Sequence, residues 1–322
     1  MLKPKKVVVL GGGHGSSVVL SALKDKNLDL TGVISMADDG GSTGRLRREL
    51  GVSAMGDIRN CLAALSTKPE LAKLFSQRFA NGDLTGHALG NLFLAAGELE
   101  SGDIQTSIDF AREALEVVAN IFPATLDKCQ LKYIGKDAEI SGMHEIAKQQ
   151  LEPKPRLLLE PKAELSPQAK KAIAQADLIV IAPGNFYCSI AQVLIVDGMA
   201  EALSESAAKV AMVINLVNID RHTPGFSPAE YLDETERLLG RQVVDCLIYN
   251  SQPIDPDKLK DGESQVEAKF TLPTKRQIIL KSENLVDKTL AKPDPKDKIA
   301  YIRSNLRHDK NKLAVIIENL LA

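Results

Sequence analysis

Lys6-Val-Val-Val-Leu10 runs directly into Gly11-Gly-Gly-His-Gly15-Ser16, and this junction decides the fold. A β-branched run ended by glycines reads as a strand. Val19, Leu20 and Leu23 within Ser16 to Lys24 then recur at helical spacing. Leu28 to Met36 reads as a second strand, closed by Asp38-Asp-Gly-Gly41, so the opening is a βαβ unit that calls for a parallel sheet. Asp177 to Ala182, Lys209 to Asn215 and Val243 to Tyr249 are near-continuous apolar runs, as expected of strands covered on both faces. Ile58, Cys61, Leu62 and Leu65, and likewise Ile104, Ile108, Ala111, Leu115 and Val118, fall on one face of a helix. The expected fold is therefore α/β, Rossmann-like, a mostly parallel sheet with helices on both faces. Residues 126–159 alternate and carry Gly135, Gly142 and Pro153-Lys-Pro155, which predicts a small β insertion or subdomain. Ala291 to Lys298 reads as an exposed connection to a last helix through Leu313, Ile316, Ile317 and Leu320.

The 322 residues suit one large α/β domain spanning 1–322, and 44% hydrophobic with 25% charged residues is the balance of a folded globular chain. A net charge of −2 supplies no overall positive field for nucleic acid or an anionic membrane, so any anion site must be local. Tryptophan is absent and aromatics make up 4%, too few to stack single-stranded nucleic acid. No apolar run is long enough to span a bilayer, so membrane insertion is not expected. Cys61, Cys129, Cys188 and Cys246 lie far apart with no zinc-ligand spacing and read as buried thiols of a cytoplasmic protein. The expected partners are a small nucleotide ligand and further copies of the same chain.

Several loops carry candidate chemistry. In the first, Gly12, Gly13, His14 and Gly15 can bring main-chain N–H groups and a helix N-terminus to a phosphate, and four glycines exceed what a tight turn needs. Ser16 stands where the dinucleotide fingerprint G-x-G-x-x-G has its third glycine. The second loop follows the second strand, where an acidic residue would hold a ribose hydroxyl. It offers Asp38, Asp39, Gly40, Gly41 and Ser42, then Arg45, Arg47 and Arg48, of which one or two at most can reach a ligand. Ser42 or Thr43 could cap the helix, as could Asp57 in the third segment, where Arg59 and Asn60 lie off the apolar stripe. His87 and Asn91 flank small residues at the start of a further helix, beside Gly86 and Gly90. Gly184 and Asn185 follow the Asp177 to Ala182 strand, and Asn218, Asp220 and His222 follow the next. Parallel strands would bring all these loops to one sheet edge, the edge at which open α/β sheets bind ligands.

Taken together, these stretches resemble the YvcK-type gluconeogenesis factor family, within the superfamily of 2-phospho-L-lactate transferases (CofD-like proteins). The matching pieces are Val9 to Gly15, Ala37 to Arg48, Gly56 to Leu62, Gly90-Asn91, Ala182-Pro-Gly-Asn185 and Arg307-His-Asp309. The resemblance implies a cytoplasmic protein that binds a nucleotide-sugar such as UDP-N-acetylglucosamine and acts in growth on gluconeogenic carbon sources and in cell shape. It places the diphosphate near Gly12, Gly13 and His14, the ribose or sugar toward Asp38, Asp39, Ser42 and Asn185, and the charge of Arg307 on the ligand. The transferase relatives imply an alternative, a magnesium-dependent transfer with the ion on Asp39 and Asp57. A nicotinamide-dependent oxidoreductase is a weaker alternative that the glycine loop permits. His14 replaces the family's usual Thr and Asn185 its usual Ser, two changes that bear on ligand preference.

Overall fold

A computed structural model describes residues 3–136, 138–272, 276–292 and 304–321. The chain opens with β1 (Lys5–Gly11), α1 (Gly13–Leu23) and β2 (Leu28–Ile34), the βαβ unit read from the sequence. Five helices follow, α2 (Gly41–Leu50), α3 (Gly56–Leu65), α4 (Pro69–Ser76), α5 (Leu89–Ser101) and α6 (Ile104–Ala114), and then β3 (Asn120–Pro123). A small antiparallel sheet comes next, from β4 (Gln130–Ile134), β5 (Glu139–Ser141) and β6 (Arg156–Glu160), with α7 (Met143–Ile146) between the last two. Helix α8 (Pro167–Ala174) leads to β7 (Leu178–Ile181), a π-helical turn over Phe186–Ile190, α9 (Ala191–Leu194) and α10 (Met199–Glu205). The remainder is β8 (Lys209–Val213), β9 (Val217–Ile219), α11 (Pro228–Leu239), β10 (Cys246–Asn250), β11 (Glu263–Gln265), β12 (Ile279–Glu283) and α12 (Lys310–Leu321).

Seven strands pair in the order β12-β10-β8-β7-β1-β2-β3, every pair parallel. From β1 the chain winds outward through β2 to β3, then returns to the other side of β1 with β7 and winds away through β8, β10 and β12. The direction reverses between β1 and β7, and the crevice outside the carboxyl ends of two such strands is where this architecture takes ligands. Both faces of the sheet are covered, because side chains alternate along a strand. Val7 and Val9 join Leu20, Leu62 and Ile317 in one core, while Val8 and Leu10 join Leu131, Ile173, Met199 and Leu232 in the other. Each such fully buried aliphatic side chain contributes about 1.5–3 kcal/mol, so β1 is anchored twice over and its glycine end is a rigid platform.

Three boundaries differ from the sequence expectation. Helix α1 starts at Gly13 rather than Ser16, so Gly13, His14 and Gly15 belong to its first turn. Strand β2 stops at Ile34, and the bond from Ser35 N–H to the Gly11 carbonyl at 3.0 Å is the last rung of its ladder with β1. Helix α6 ends at Ala114, Glu116 adopts φ 49°, and Val118 is left 85% exposed instead of facing the core. Most of the expected connection over Ala291 to Lys298 lies outside the described residues.

Candidate functional site

At the reversal point a cavity of about 170 Å³ opens, lined by Gly12, Gly13, His14 and Gly15 from the first turn of α1. The glycines there answer first to packing. A Cβ on Gly15 would lie 1.5 Å from the Pro183 carbonyl oxygen, and one on Gly13 would lie 2.5 Å from Asp57 Oδ1 and 2.7 Å from the Asp57 Cα. The start of α1 is thus wedged between the Pro183–Gly184 loop and α3. This accounts for two of the four glycines that the sequence reading assigned to phosphate approach. Ser16, in the third-glycine position, is buried and its Oγ would sit 2.8 Å from a Cβ on Gly11, so a small side chain is all the space admits. The main-chain N–H groups of that turn still have no intrahelical acceptor.

The opposite wall comes from the loop after β7. Asn215, just past β8, clamps Gly184 by accepting from its N–H at 2.9 Å and donating to its carbonyl at 2.7 Å. Asn185 accepts from Cys188 N–H at 3.2 Å, which starts the π-helical turn, and lies 3.3 Å from His222 Nδ1. Burial pushes His222 down to about 4, so the imidazole is neutral at ordinary pH. Arg307 closes the cavity from near the other end of the chain, its Nη1 donating to the carbonyls of Ser304 at 2.6 Å and Leu306 at 2.7 Å. His308, also pushed down to about 4 by burial, ties this segment to the end of β8 through the Ile214 carbonyl at 3.0 Å. Asp309 accepts from Asn311 and Lys312 N–H and so caps α12. The Arg307-His-Asp309 motif therefore divides into a cavity residue, a tether and a cap.

A second cavity of about 270 Å³ adjoins the first and shares Asp38 and Asp57 with it. It gathers Asp39, Gly40, Gly41, Ser42, Arg45, Arg59, Asn60 and Asn91. Capping does not explain its polar residues. The residue before α2 is Gly40 and the one before α3 is Met55, so Ser42, Thr43 and Asp57 all lie inside first turns. Ser42 Oγ is instead 2.9 Å from His87 Nδ1 and accepts from Asn91 Nδ2 at 3.0 Å. His87 stands behind Ser42, buried, its pKa lowered by burial and then by the Arg45 charge. Asp57 lies against Gly12 and Gly13, where a carboxylate also suits the α3 N-terminus. Arg59, expected to face the loop edge freely, is buried and donates to Asn60 Oδ1, which places Asn60 Nδ2 3.4 Å from His14 Nδ1. Arg47 donates to the Asp38 and Cys129 carbonyls and takes no part in either cavity. Gly90 packs on Phe75, whose ring lies 2.5 Å from its would-be Cβ.

Among the described residues no group of three His, Cys, Asp or Glu side chains is placed to hold a metal ion. Magnesium asks for less, one or two carboxylates beside substrate phosphates. Asp38 and Asp57, common to both cavities, suit that arrangement. Asp39 lines the second cavity and not the first, and its Oδ1 accepts from His144 N–H at 2.9 Å as Asp38 Oδ1 does from Gly40 N–H. Arg48, one of the three arginines named in the sequence, lines the second cavity, whereas Ser189, Asn215, Arg78 and His144 also line the two cavities and were not singled out in the sequence. Only Asn215, directly after a strand on the ligand edge, carried a usable signal.

A Rossmann-like parallel sheet with a two-chambered cleft at its reversal point defines the class. The chain belongs to the 2-phospho-L-lactate transferase CofD family, whose model matches residues 7–286. It is 34% identical to the gluconeogenesis factor of Bacillus subtilis over 99% of this chain and 98% of that protein. It is 38% identical to the gluconeogenesis factor of Halalkalibacterium halodurans over 83% of this chain and 84% of that one. A crystal structure of a UPF0052-family protein from Bacillus halodurans superposes with a TM-score of 0.85 at 31% identity, covering 98% of this chain and all of that one. No helix among the described residues is long and apolar enough to cross a membrane.

Proposed function

We propose that this chain is a nucleotide-sugar-binding regulatory protein, with the diphosphate of a UDP-N-acetylglucosamine-like ligand at the first turn of α1 and the protein acting in gluconeogenic growth and cell shape. The observation that carries the reading is the convergence of Gly12 to Gly15 and Arg307 on one cavity at the strand reversal, although they lie near opposite ends of the chain. Helix N-terminal N–H groups and a fork-shaped, permanently charged guanidinium are the donors that a diphosphate needs. Gly184 and Asn185 on the facing wall supply polar atoms for the ribose or sugar, and the apolar patch of Leu216, Val217 and Ile219 suits the flat face of a base. The names of the similar Bacillus and Halalkalibacterium proteins support the gluconeogenic setting.

A second reading, a CofD-like transferase, is favoured by the family itself and by the two carboxylates between the chambers. Magnesium on Asp38 and Asp57 would neutralise charge on a transferred phosphoryl group. A thermal-shift panel of UDP-N-acetylglucosamine, GDP, GTP and NAD, each with and without magnesium, separates the readings. A ligand at 100 times its Kd stabilises by about 2.7 kcal/mol. The regulatory reading expects the largest shift with UDP-N-acetylglucosamine, little changed by magnesium. A shift with NAD alone overturns it, and a magnesium-dependent product seen by mass spectrometry replaces it with the transferase.

A further inference from the structure

Helix α7 is a single turn, yet it reaches both chambers of the cleft, with Met143 lining the first and His144 the second. It is held at each end by a residue from a different side of the strand reversal. Asp39, after β2, accepts from His144 N–H at 2.9 Å. At the other end the Ile146 carbonyl lies 3.3 Å from Nε2 of His222, which follows β9. Leu151 N–H donates to the Arg221 carbonyl at 2.9 Å, so the chain beyond α7 is tied to the same loop.

His222 stands between two acceptors. Its Nδ1 lies 3.3 Å from Asn185 Oδ1, and that atom already takes Cys188 N–H at 3.2 Å, which excludes the flipped amide. The Ile146 carbonyl likewise accepts from Gln149 N–H at 3.0 Å. A neutral imidazole carries one N–H. The ring is buried with its edge against Tyr187, and burial and the neighbouring Arg221 charge both oppose a second proton. One contact is therefore a hydrogen bond, and the other sets a ring lone pair against an oxygen. Exchanging them removes a proton from Nε2 and adds one at Nδ1 through solvent, with no change in the charge of the ring. In the empty cleft the enclosed Ile146 contact is the costlier one to leave unmade, because Asn185 borders the cavity. The Asn185 NH2 donates to no described residue. A ligand oxygen that takes this NH2 makes Oδ1 the stronger acceptor, since linked hydrogen bonds polarise one another.

We propose that His222 is a positioning residue that couples the first cavity to α7, its single ring proton resting on the Ile146 carbonyl when the cavity is empty and passing to Asn185 when a ligand accepts from the Asn185 amide. Helix α7 then loses its hold at the His222 end and keeps the one at Asp39, so filling the first chamber loosens a wall shared with the second. The ligand step rests on the first cavity taking a nucleotide-sugar, whereas the placement of His222 between two acceptors does not.

The test is two-bond nitrogen–proton correlation NMR of the histidine rings in the full chain, which separates the Nε2–H, Nδ1–H and doubly protonated forms. At about pH 8, where the ring is neutral, the free protein should hold His222 mainly as Nε2–H. Saturating UDP-N-acetylglucosamine, with saturation established by isothermal titration, should move the ratio toward Nδ1–H by about fivefold, the scale of one net hydrogen bond. Amide exchange at Ile146 and Ala147 should quicken with it. Asn185→Asp keeps the cap on Cys188 and sets a stronger acceptor against Nδ1, so it should produce the same shift with no ligand present. A free protein already in the Nδ1–H or doubly protonated form, or a wild-type ratio in Asn185→Asp, would overturn the assignment to His222. Saturation that leaves the ratio unchanged would overturn the coupling. No binding in the titration would overturn the nucleotide-sugar reading and the ligand step with it, and the Asn185→Asp spectrum would then decide the role of His222 alone.

Discussion

Two glycine-rich loops leave adjacent strands of the same sheet, and they need glycine for opposite reasons. After β1, Gly13 and Gly15 sit in ordinary helical backbone, but neighbouring protein occupies the space where a side chain would go. After β2, Gly41 has nothing within 4 Å of its would-be Cβ, yet adopts φ +48°, the left-handed region that favours glycine. Gly13 and Gly15 are set by their surroundings and Gly41 by its own backbone. A glycine count in sequence does not separate these causes, and neither cause by itself requires a ligand. What makes both loops part of a site is the sheet topology, which brings their ends and the loop after β7 to one edge.

The comparison can be broken by substitution. Gly15→Ala places a methyl group 1.5 Å from a main-chain carbonyl oxygen, a clash relieved only by moving α1 or the Pro183 loop, and should cost at least about 3 kcal/mol. Chemical denaturation would show this as a lower midpoint, and a near-wild-type midpoint would mean the wedge is not tight. Gly41→Ala should cost only about 1–2 kcal/mol, the penalty for a left-handed alanine in open space. A larger loss in Gly41→Ala than in Gly15→Ala would reverse the contrast.

Acid sharpens it in another way, with an effect intermediate between those two substitutions for each histidine. His222, beside the Asn185 loop, and His308, beside Arg307, are both pushed down from the ordinary 6.5 to about 4 by burial. In the unfolded chain each takes up a proton near pH 6.5, whereas the folded protein resists until about 4, so the unfolded state binds more protons in between. The stability they confer is complete above pH 6.5 and falls as pH drops from 6.5 to 4, by on the order of 2–3 kcal/mol for each histidine. His222→Gln should remove part of that slope in pH-dependent unfolding. An unchanged slope would show that this ring titrates normally in the folded state.

Much of the frame was legible because its determinants are local. The β-branched run of Lys6 to Leu10, the glycines after it and the apolar stripe of Ile58 to Leu65 each encode an element within a few residues, and the order of elements then implies a parallel sheet. The site was legible only as a set of loops at one edge. Which of Arg45, Arg47 and Arg48 would face a cavity could not be read, since Arg47 is drawn away by the Cys129 carbonyl from a strand-flanking segment far along the chain. Asp57 looked like a helix cap because its spacing allows that, but the close approach of Gly13 places it in the cleft wall. Arg78 sits in an irregular stretch with no motif, and nothing short of the tertiary fold brings it beside Ser42. Arg307 came from family resemblance alone, as no periodicity links it to the glycine loop.

The central claim is that Arg307 and the first turn of α1 together hold the diphosphate of a nucleotide-sugar. Isothermal titration of UDP-N-acetylglucosamine into wild type and Arg307→Ala, at low and moderate salt, tests it most directly. The account predicts saturable binding to the wild type and a loss of about 1.5–3 kcal/mol in the variant, the scale of a charge-assisted hydrogen bond. Equal affinities at both salt concentrations, or no binding of UDP-N-acetylglucosamine to the wild type, would contradict it.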